Sequence, residues 1–373
     1  MRRPTVLLTG ATGAVGADLL QRLARRGDLA VKLLVRRSDR DPVERVRALL
    51  DYAEINATID VIEGDVCAGR GLGASPDALR DLQHTTTHLI HCAGSTSFTL
   101  PITAARRANV DGSRNVLDFA RDCPALECGA FLSTVYVSGK RCGDFAESDF
   151  GDGGLGFVNS YEESKAEMEE MISAAMSELP LILVRLSTVI GDSGTGRVRH
   201  FNTIHHAVRL LYSGLAPMIP GDPNEPVDIV SSDFVAEAVL RLVEHAPRPG
   251  VYHVAAGRES SSSLGDIIDE TMSAIAVHRP QWRKRTIEKP LIVDLDTYEL
   301  FVKSVEETGN PVLREATRSI RTFAYQLAHP KVFDTDRATA ALADDGIAPQ
   351  QSLDFYPRVV KYCLESNWGT RQC

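Results

Sequence analysis

Short apolar runs rich in β-branched residues alternate, through the first half of the chain, with segments whose apolar residues recur every three or four positions. The runs are TVLLTG from Thr5, VKLLVR from Val31, IDVIEGD from Ile59, THLIHCAG from Thr87, GAFLSTVYV from Gly129 and LILVRLSTVIG from Leu181. Between them lie helical patterns near 14–26, 42–53, 104–121 and 161–177. Continuous apolar strands need cover on both faces, and one-sided helices supply it, so the pattern predicts a doubly wound parallel α/β sheet. After Gly191 the rhythm weakens into a helix near 200–213 and the proline-rich stretch APMIPGDPNEP from Ala216. VDIVSSDFVAEAVLRLVEHA and GVYHVAAG then read as one more helix and strand returning to the sheet. Residues 260–373 read as mostly helical, punctuated by Pro280, Pro290, Pro311 and Pro330. The expected organisation is a sheet domain over 1–195 plus about 226–258, and a smaller, mostly helical substrate lobe built from about 196–225 and 259–373.

Composition narrows the function classes. A net charge of -9 and a pI near 5.6 give no footprint for nucleic acid or an anionic membrane surface. No run approaches about eighteen uninterrupted apolar residues, so no spanning helix is expected. The opening MRRPTVLLTGATGAVGA has a charged start and an apolar middle, but Gly10 to Gly16 interrupt it and a polar helix with Asp18 and Arg22 follows. That argues against a signal peptide and for a cytoplasmic location. The seven cysteines, at 67, 92, 123, 128, 142, 363 and 373, include no C-x-x-C pair, which suits reduced thiols and no metal site.

TGATGAVG, residues 9–16, sits after the first strand and at the start of a helix. There the backbone N–H groups and the helix dipole face an anion, an arrangement a plain bend would not need. Gly10, Gly13 and Gly16 recur every third residue, with Thr12, Ala14 and Val15 between them. Arg36 and Arg37 end the next strand about twenty residues on, where a dinucleotide fold places its ribose reader. Guanidinium groups suit a 2′-phosphate, which favours NADP(H) over NAD(H); the alternative is a solvated basic strand end. Asp65, with Val66 after it, follows the third strand and could accept from an adenine amine. Cys92, Ala93 and Gly94 end the fourth strand against the same ligand. Asn109 falls on a predicted helix. Each alone reads equally well as turn or core, and their order carries the weight.

In NSYEESKAEME, Tyr161 and Lys165 stand four residues apart and so share one helix face. An ammonium beside a phenol favours the phenolate, drawing its pKa toward the working range of a general acid or base. Thr134, in FLSTVYVSG, offers a hydroxyl at the carboxyl end of a strand, where open α/β sheets bind ligands.

With these pieces the chain resembles the extended short-chain dehydrogenase/reductase superfamily, a Rossmann fold. The matching residues are T-G-x-T-G-x-x-G at 9–16, Asp65, H-x-A-G at 91–94, Asn109, the S-T before V-x-G at 133–139 and Y-x-x-x-K at 161–165. GSTSFTL, NSYEESKAEMEE and VIGDSGTG look most like the thioester reductase and fatty acyl-CoA reductase branch. The resemblance covers about 4–260, and FDTDRATAALADDGI looks like the closing segment of such enzymes. It implies that Gly10, Gly13 and Gly16 hold the pyrophosphate and Arg36 the 2′-phosphate of NADPH. It further implies that Thr134 holds the substrate oxygen, Tyr161 gives the proton, Lys165 binds the nicotinamide ribose and Asn109 supports a water chain to Lys165. Leu186, Thr188 and Val189 would border the nicotinamide, with Leu186 and Ser187 standing where the family often has proline. The implied reaction is reduction of an acyl thioester, on a small molecule or a carrier, to an aldehyde or alcohol. An acyl carrier protein is an implied partner, and a long pantetheine arm implies an open, elongated groove between HFNTIHHAVRLLYSGL and APMIPGDPNEP.

Rival readings remain within the fold. Ketone or aldehyde reductases, and sugar or steroid epimerases and dehydratases, use an equivalent Thr, Tyr, Lys set. A compact, sealed pocket would favour a small ketone or sugar. A non-catalytic cofactor-binding regulator would predict erosion of the triad, which is intact. GDSG at 191–194 resembles the nucleophile stretch of chymotrypsin-like proteases, with Ser193 as the hydroxyl, although the α/β alternation is wrong for paired β-barrels. His91, His200, His205 and His206 show no metal spacing and read as core or surface histidines.

Overall fold

Seven of the apolar runs form one parallel sheet in the computed structural model, which describes residues 3–284 and 287–370. They are β1 (Thr5–Thr9), β2 (Ala30–Val35), β3 (Asp60–Glu63), β4 (His88–His91), β5 (Cys128–Thr134), β6 (Leu181–Leu186) and β7 (Gly250–Val254). Their spatial order is β7-β6-β5-β4-β1-β2-β3, so the winding reverses between β1 and β4. That reversal opens a crevice at the carboxyl ends of these two strands. Side chains alternate across the sheet, as a two-residue period requires. Val6 and Leu8 face the helices Ala14–Ala24 and Ser232–His245, whereas Leu7 faces Gly112–Arg121 and Ser160–Ala175.

The helix expected near 104–121 is broken into Ile102–Arg106, a π-helical turn at Arg107–Asp111 and Gly112–Arg121. Such a widened turn re-aims a side chain, here Asn109, which is buried. The lobe has its own core, in which Val208, Ile268, Phe355 and Val360 meet from the helices Thr203–Ser213, Leu264–His278 and Ser352–Glu365.

The segment after Pro330 divides differently from the expected lobe boundary. Lys331–Phe333 pairs parallel with Gly143–Phe145, and Ala338 and Leu342 join the core beneath the sheet. Glu147 fastens it, accepting from the backbone N–H groups of His253, Arg337 and Ala338 at 2.7, 2.6 and 3.1 Å. Among the described residues no helix is long and apolar enough to cross a membrane, and no cluster of His, Cys, Asp and Glu could hold a metal. Cys373 lies outside the described residues; the other six cysteines are free thiols.

Candidate active site

At the crevice the first glycine turn touches the end of β4. Gly10 has φ +76°, and a Cβ there would stand 2.5 Å from the Ala93 nitrogen. A Cβ on Gly16 would stand 2.0 Å from the Gly10 carbonyl oxygen, so neither position accepts a larger residue. Gly13 is the N-cap of Ala14–Ala24 and brings no side-chain cap, which leaves the first amides of that helix to a ligand. Ala14 and Val15 form the first turn of that helix and do not line the cleft.

The cleft holds about 260 Å³ and is lined by Gly10, Thr12, Gly13, Arg36, Ser38, Arg45, Asp65, Val66, Cys92, Ala93 and Gly94, among others. The Arg36 side chain makes no hydrogen bond or ion pair among the described residues. Arg37 does not share this role: its guanidinium grips Glu63 at 2.8 and 2.7 Å on the exposed rim. Arginine at two successive strand-end positions points in opposite directions, so only one can face the cleft. Arg45, absent from the sequence reading, takes the second place. It donates to the Thr12 hydroxyl and the Arg36 carbonyl, both at 2.8 Å. The D-P start at 41–42 marks where its helix begins but not which face of that helix meets the glycine turn. Asp65 accepts from the Cys67 amide at 2.9 Å, and burial pushes the Cys92 thiol up to about 11. A cradle that any Cβ would fill, open helix amides and an unpaired guanidinium fit a phosphorylated dinucleotide.

Thr134 ends β5 and Tyr161 and Lys165 lie on the helix Ser160–Ala175, so the three meet at the carboxyl edge of the sheet. The Thr134 hydroxyl stands near the Tyr161 phenol and accepts from the Tyr136 amide at 3.2 Å. Burial pushes Tyr161 well above the ordinary phenol value, the nearby Thr134 hydroxyl offsetting part of this, while Glu162, Cys92 and Glu169 add to it. The expected lowering by Lys165 is therefore not what this arrangement produces. The Lys165 ammonium instead donates to the Leu132 carbonyl at 2.8 Å, and burial lowers it to about 8. Asn109 donates to the Ser95 carbonyl and the Ser164 hydroxyl at 3.0 and 2.9 Å and accepts from the Ser95 amide at 2.8 Å. A Cβ on Gly94 would meet the Asn109 oxygen at 2.8 Å and the Lys165 nitrogen at 3.8 Å, so both groups face the cleft floor.

Leu186, Thr188 and Val189 lie beyond the cleft lining. Leu186 ends β6, Val189 pairs with Val230, and the Thr188 hydroxyl bonds the Tyr136 phenol at 2.9 Å. Ser187 is tied by its amide to the Val254 carbonyl and by its hydroxyl to the Asp228 carbonyl, at 3.1 and 2.9 Å. Tyr136, missed in the sequence because strand patterning explained it, is a second buried phenol raised by burial, with Tyr161 among the groups acting on it. The Ser193 hydroxyl donates to Asp233 at 2.6 Å and accepts from Gln350 at 3.2 Å, with no histidine on it, so the protease reading falls. His91 bridges Thr9 and Ser113 at 2.8 and 3.0 Å and is kept neutral by burial, with a pKa of about 3. His205 accepts from the Asn202 amide and is lowered to about 4, while His200 and His206 are exposed.

The open, elongated groove is not what the lobe presents. Thr203–Ser213 and the stretch around Ile219 do line a common recess, but it is two chambers of about 40 Å³ each. Phe323, Leu327 and Tyr356, from helices that carry no recognisable motif, close across it.

Known proteins are similar to this chain in sequence and in backbone fold. The chain is 29% identical over 271 residues to the glycine betaine reductase ATRR of Emericella nidulans, covering 67% of this chain and 21% of that protein. It is 28% identical over 299 residues to the non-reducing polyketide synthase pkiA of the same organism, covering 75% of this chain and 12% of that protein. The chain thus spans about a fifth or less of these curated relatives. Its backbone follows the terminal R domain from the myxalamid PKS-NRPS pathway with a TM-score of 0.81, at 20% identity, over 99% of this chain and 92% of that one. The family model described as male sterility protein matches residues 8–239, more than half of the chain. The chain belongs to this male sterility protein family, a family that binds a nicotinamide cofactor.

Proposed function

We propose that the chain is an NADPH-dependent reductase of acyl thioesters, yielding an aldehyde or alcohol. The observation that carries this reading is the Thr134, Tyr161, Lys165 cluster at the mouth of a glycine-lined cleft bearing Arg36 and Arg45. When bound, the reduced nicotinamide supplies hydride to the carbonyl carbon. Thr134 and Tyr161 hold the carbonyl oxygen, and Tyr161, protonated because burial raises it, gives its proton as charge develops there; the resulting hemithioacetal breaks its C–S bond, and the thiol leaves with the aldehyde as the other product. Lys165 holds the nicotinamide ribose and keeps positive charge near the phenol; Asn109 fixes the Ser95 backbone and Ser164 beside it. Arg36 and Arg45 hold the 2′-phosphate by charge-assisted bonds. The sheet domain would hold the cofactor and the lobe the substrate, with 331–347, whose Ala338 and Leu342 join the core beneath the sheet, counted with the sheet domain. The similarity to a polyketide synthase and to the R domain of a PKS-NRPS pathway supports a substrate presented on a carrier, and so an acyl carrier protein as partner.

The compact recess favours a second reading, reduction of a small ketone or aldehyde. The test is cofactor oxidation with NADPH or NADH and a panel of acyl-CoAs, aldehydes and ketones. Thioester turnover that prefers NADPH and falls at least a hundredfold in Tyr161→Phe is the expected result. Turnover of ketones and aldehydes alone would establish the second reading instead.

A further inference from the structure

The two chambers in the lobe adjoin each other. They share Val227, Leu264, Phe323 and Leu327 as common walls. The outer chamber is bounded by Tyr136, whose amide bonds Thr134 and whose phenol stands among the groups around Tyr161. The inner chamber is lined almost wholly by aliphatic and aromatic carbon, and its polar members are Thr271 and Tyr356. Their hydroxyls bond one another at 2.8 Å, and Thr271 also donates to the Ile267 carbonyl at 2.7 Å, so they are satisfied without a ligand. A charged or sugar-like group would find no partner there and would lose its hydration. We infer that this inner chamber is the end of an acyl-chain site, closed by Tyr356, and that it selects unbranched apolar chains of short to medium length. The inference rests on the thioester reading above. At roughly 10–15 Å³ for each water-sized group, a chamber of about 40 Å³ takes on the order of three or four methylenes. The outer chamber, of similar size, is lined by Asp222, Glu225, Asp228, Gln326, His329 and Lys331 beside its apolar walls, so it suits the polar thioester end rather than methylenes, which sets the optimum at about four to six carbons.

The experiment is the chain-length profile of kcat/KM with straight-chain acyl-CoAs from acetyl to palmitoyl. The rate constant should rise about three- to fourfold per methylene up to the optimum and fall at least tenfold by palmitoyl. Ala207→Leu, on the half-exposed wall of the inner chamber, should move the optimum to shorter chains; Tyr356→Ala should move it to longer ones. A profile flat or still rising at palmitoyl, or unmoved by Ala207→Leu, overturns the inference while leaving the thioester reading intact. If no thioester is reduced, that reading fails by itself, and the chamber is read by thermal stabilisation with alkan-1-ols. Stabilisation that grows with length to about six carbons and is lost in Ala207→Leu sustains the chamber. Stabilisation independent of length overturns it.

Discussion

Lys165 is the residue at which function and stability pull apart most clearly. Its side chain is almost fully buried with one bond, to the Leu132 carbonyl, and burial lowers it from 10.5 to about 8. An unfolded lysine keeps its proton up to its ordinary value, so between about 8 and 10.5 the unfolded chain binds more protons and stability rises with pH. Below that window the cost of holding the ammonium is fully present, at about 3 kcal/mol from the size of the shift. Lys165→Met should therefore lose activity yet raise the melting temperature at neutral pH. The gain should shrink as pH rises through the window, which denaturation curves at a series of pH values would read. A melting temperature lowered at every pH would contradict this account. The neighbouring positions show what the sequence could reveal. Gly10, Gly13, Thr134, Tyr161 and Lys165 were legible because chemistry forces both residue type and spacing. Arg45 and Tyr136 were not, because their parts depend on how a helix and a strand end turn in space.

At the scale of one element, the helix Ser160–Ala175 must hold Tyr161 in register with β5. Asn159 caps its start, accepting from the Glu162 amide at 3.0 Å. Two turns after Tyr161, Glu169 is clamped by Arg185 of β6 at 2.7 to 3.0 Å, with both side chains buried. His253 of β7 meets the same guanidinium at 3.1 Å and is kept neutral by burial, at about 3. The pair thus ties the helix that carries Tyr161 and Lys165 to two adjacent strands. Removing one partner strands a buried charge, so Arg185→Met should cost about 3–5 kcal/mol. Chemical denaturation should show it as a lower midpoint at unchanged slope. A loss under about 1 kcal/mol would mean that water reaches Glu169. The strand and helix pattern that places these residues was readable, since parallel strands leave continuous apolar runs. The π-helical turn at Arg107–Asp111 was not, because one extra residue in a turn leaves the apolar periodicity nearly unchanged.

At the scale of the whole molecule, the chain closes on itself through the segment after Pro330. The sequence showed its resemblance to a closing segment but not its destination, since a three-residue strand and a seven-residue helix bury too few residues to reveal which core they join. Glu147 decides it: one buried carboxylate receives the amides of β7 and of the helix Asp336–Leu342 together. Burial raises this carboxyl, and the three N–H groups counter that by favouring its charged form. In Glu147→Ala those donors lose their acceptor, a loss of about 3 kcal/mol concentrated on one segment. The cofactor crevice, formed by β1, β2 and β4 on the other side of the sheet order, shares no residue with it. Limited proteolysis should then cut first within 331–347, while the affinity for NADPH measured by titration stays within about twofold. Cleavage spread evenly along the chain would show that Glu147 supports the fold as a whole rather than this closure.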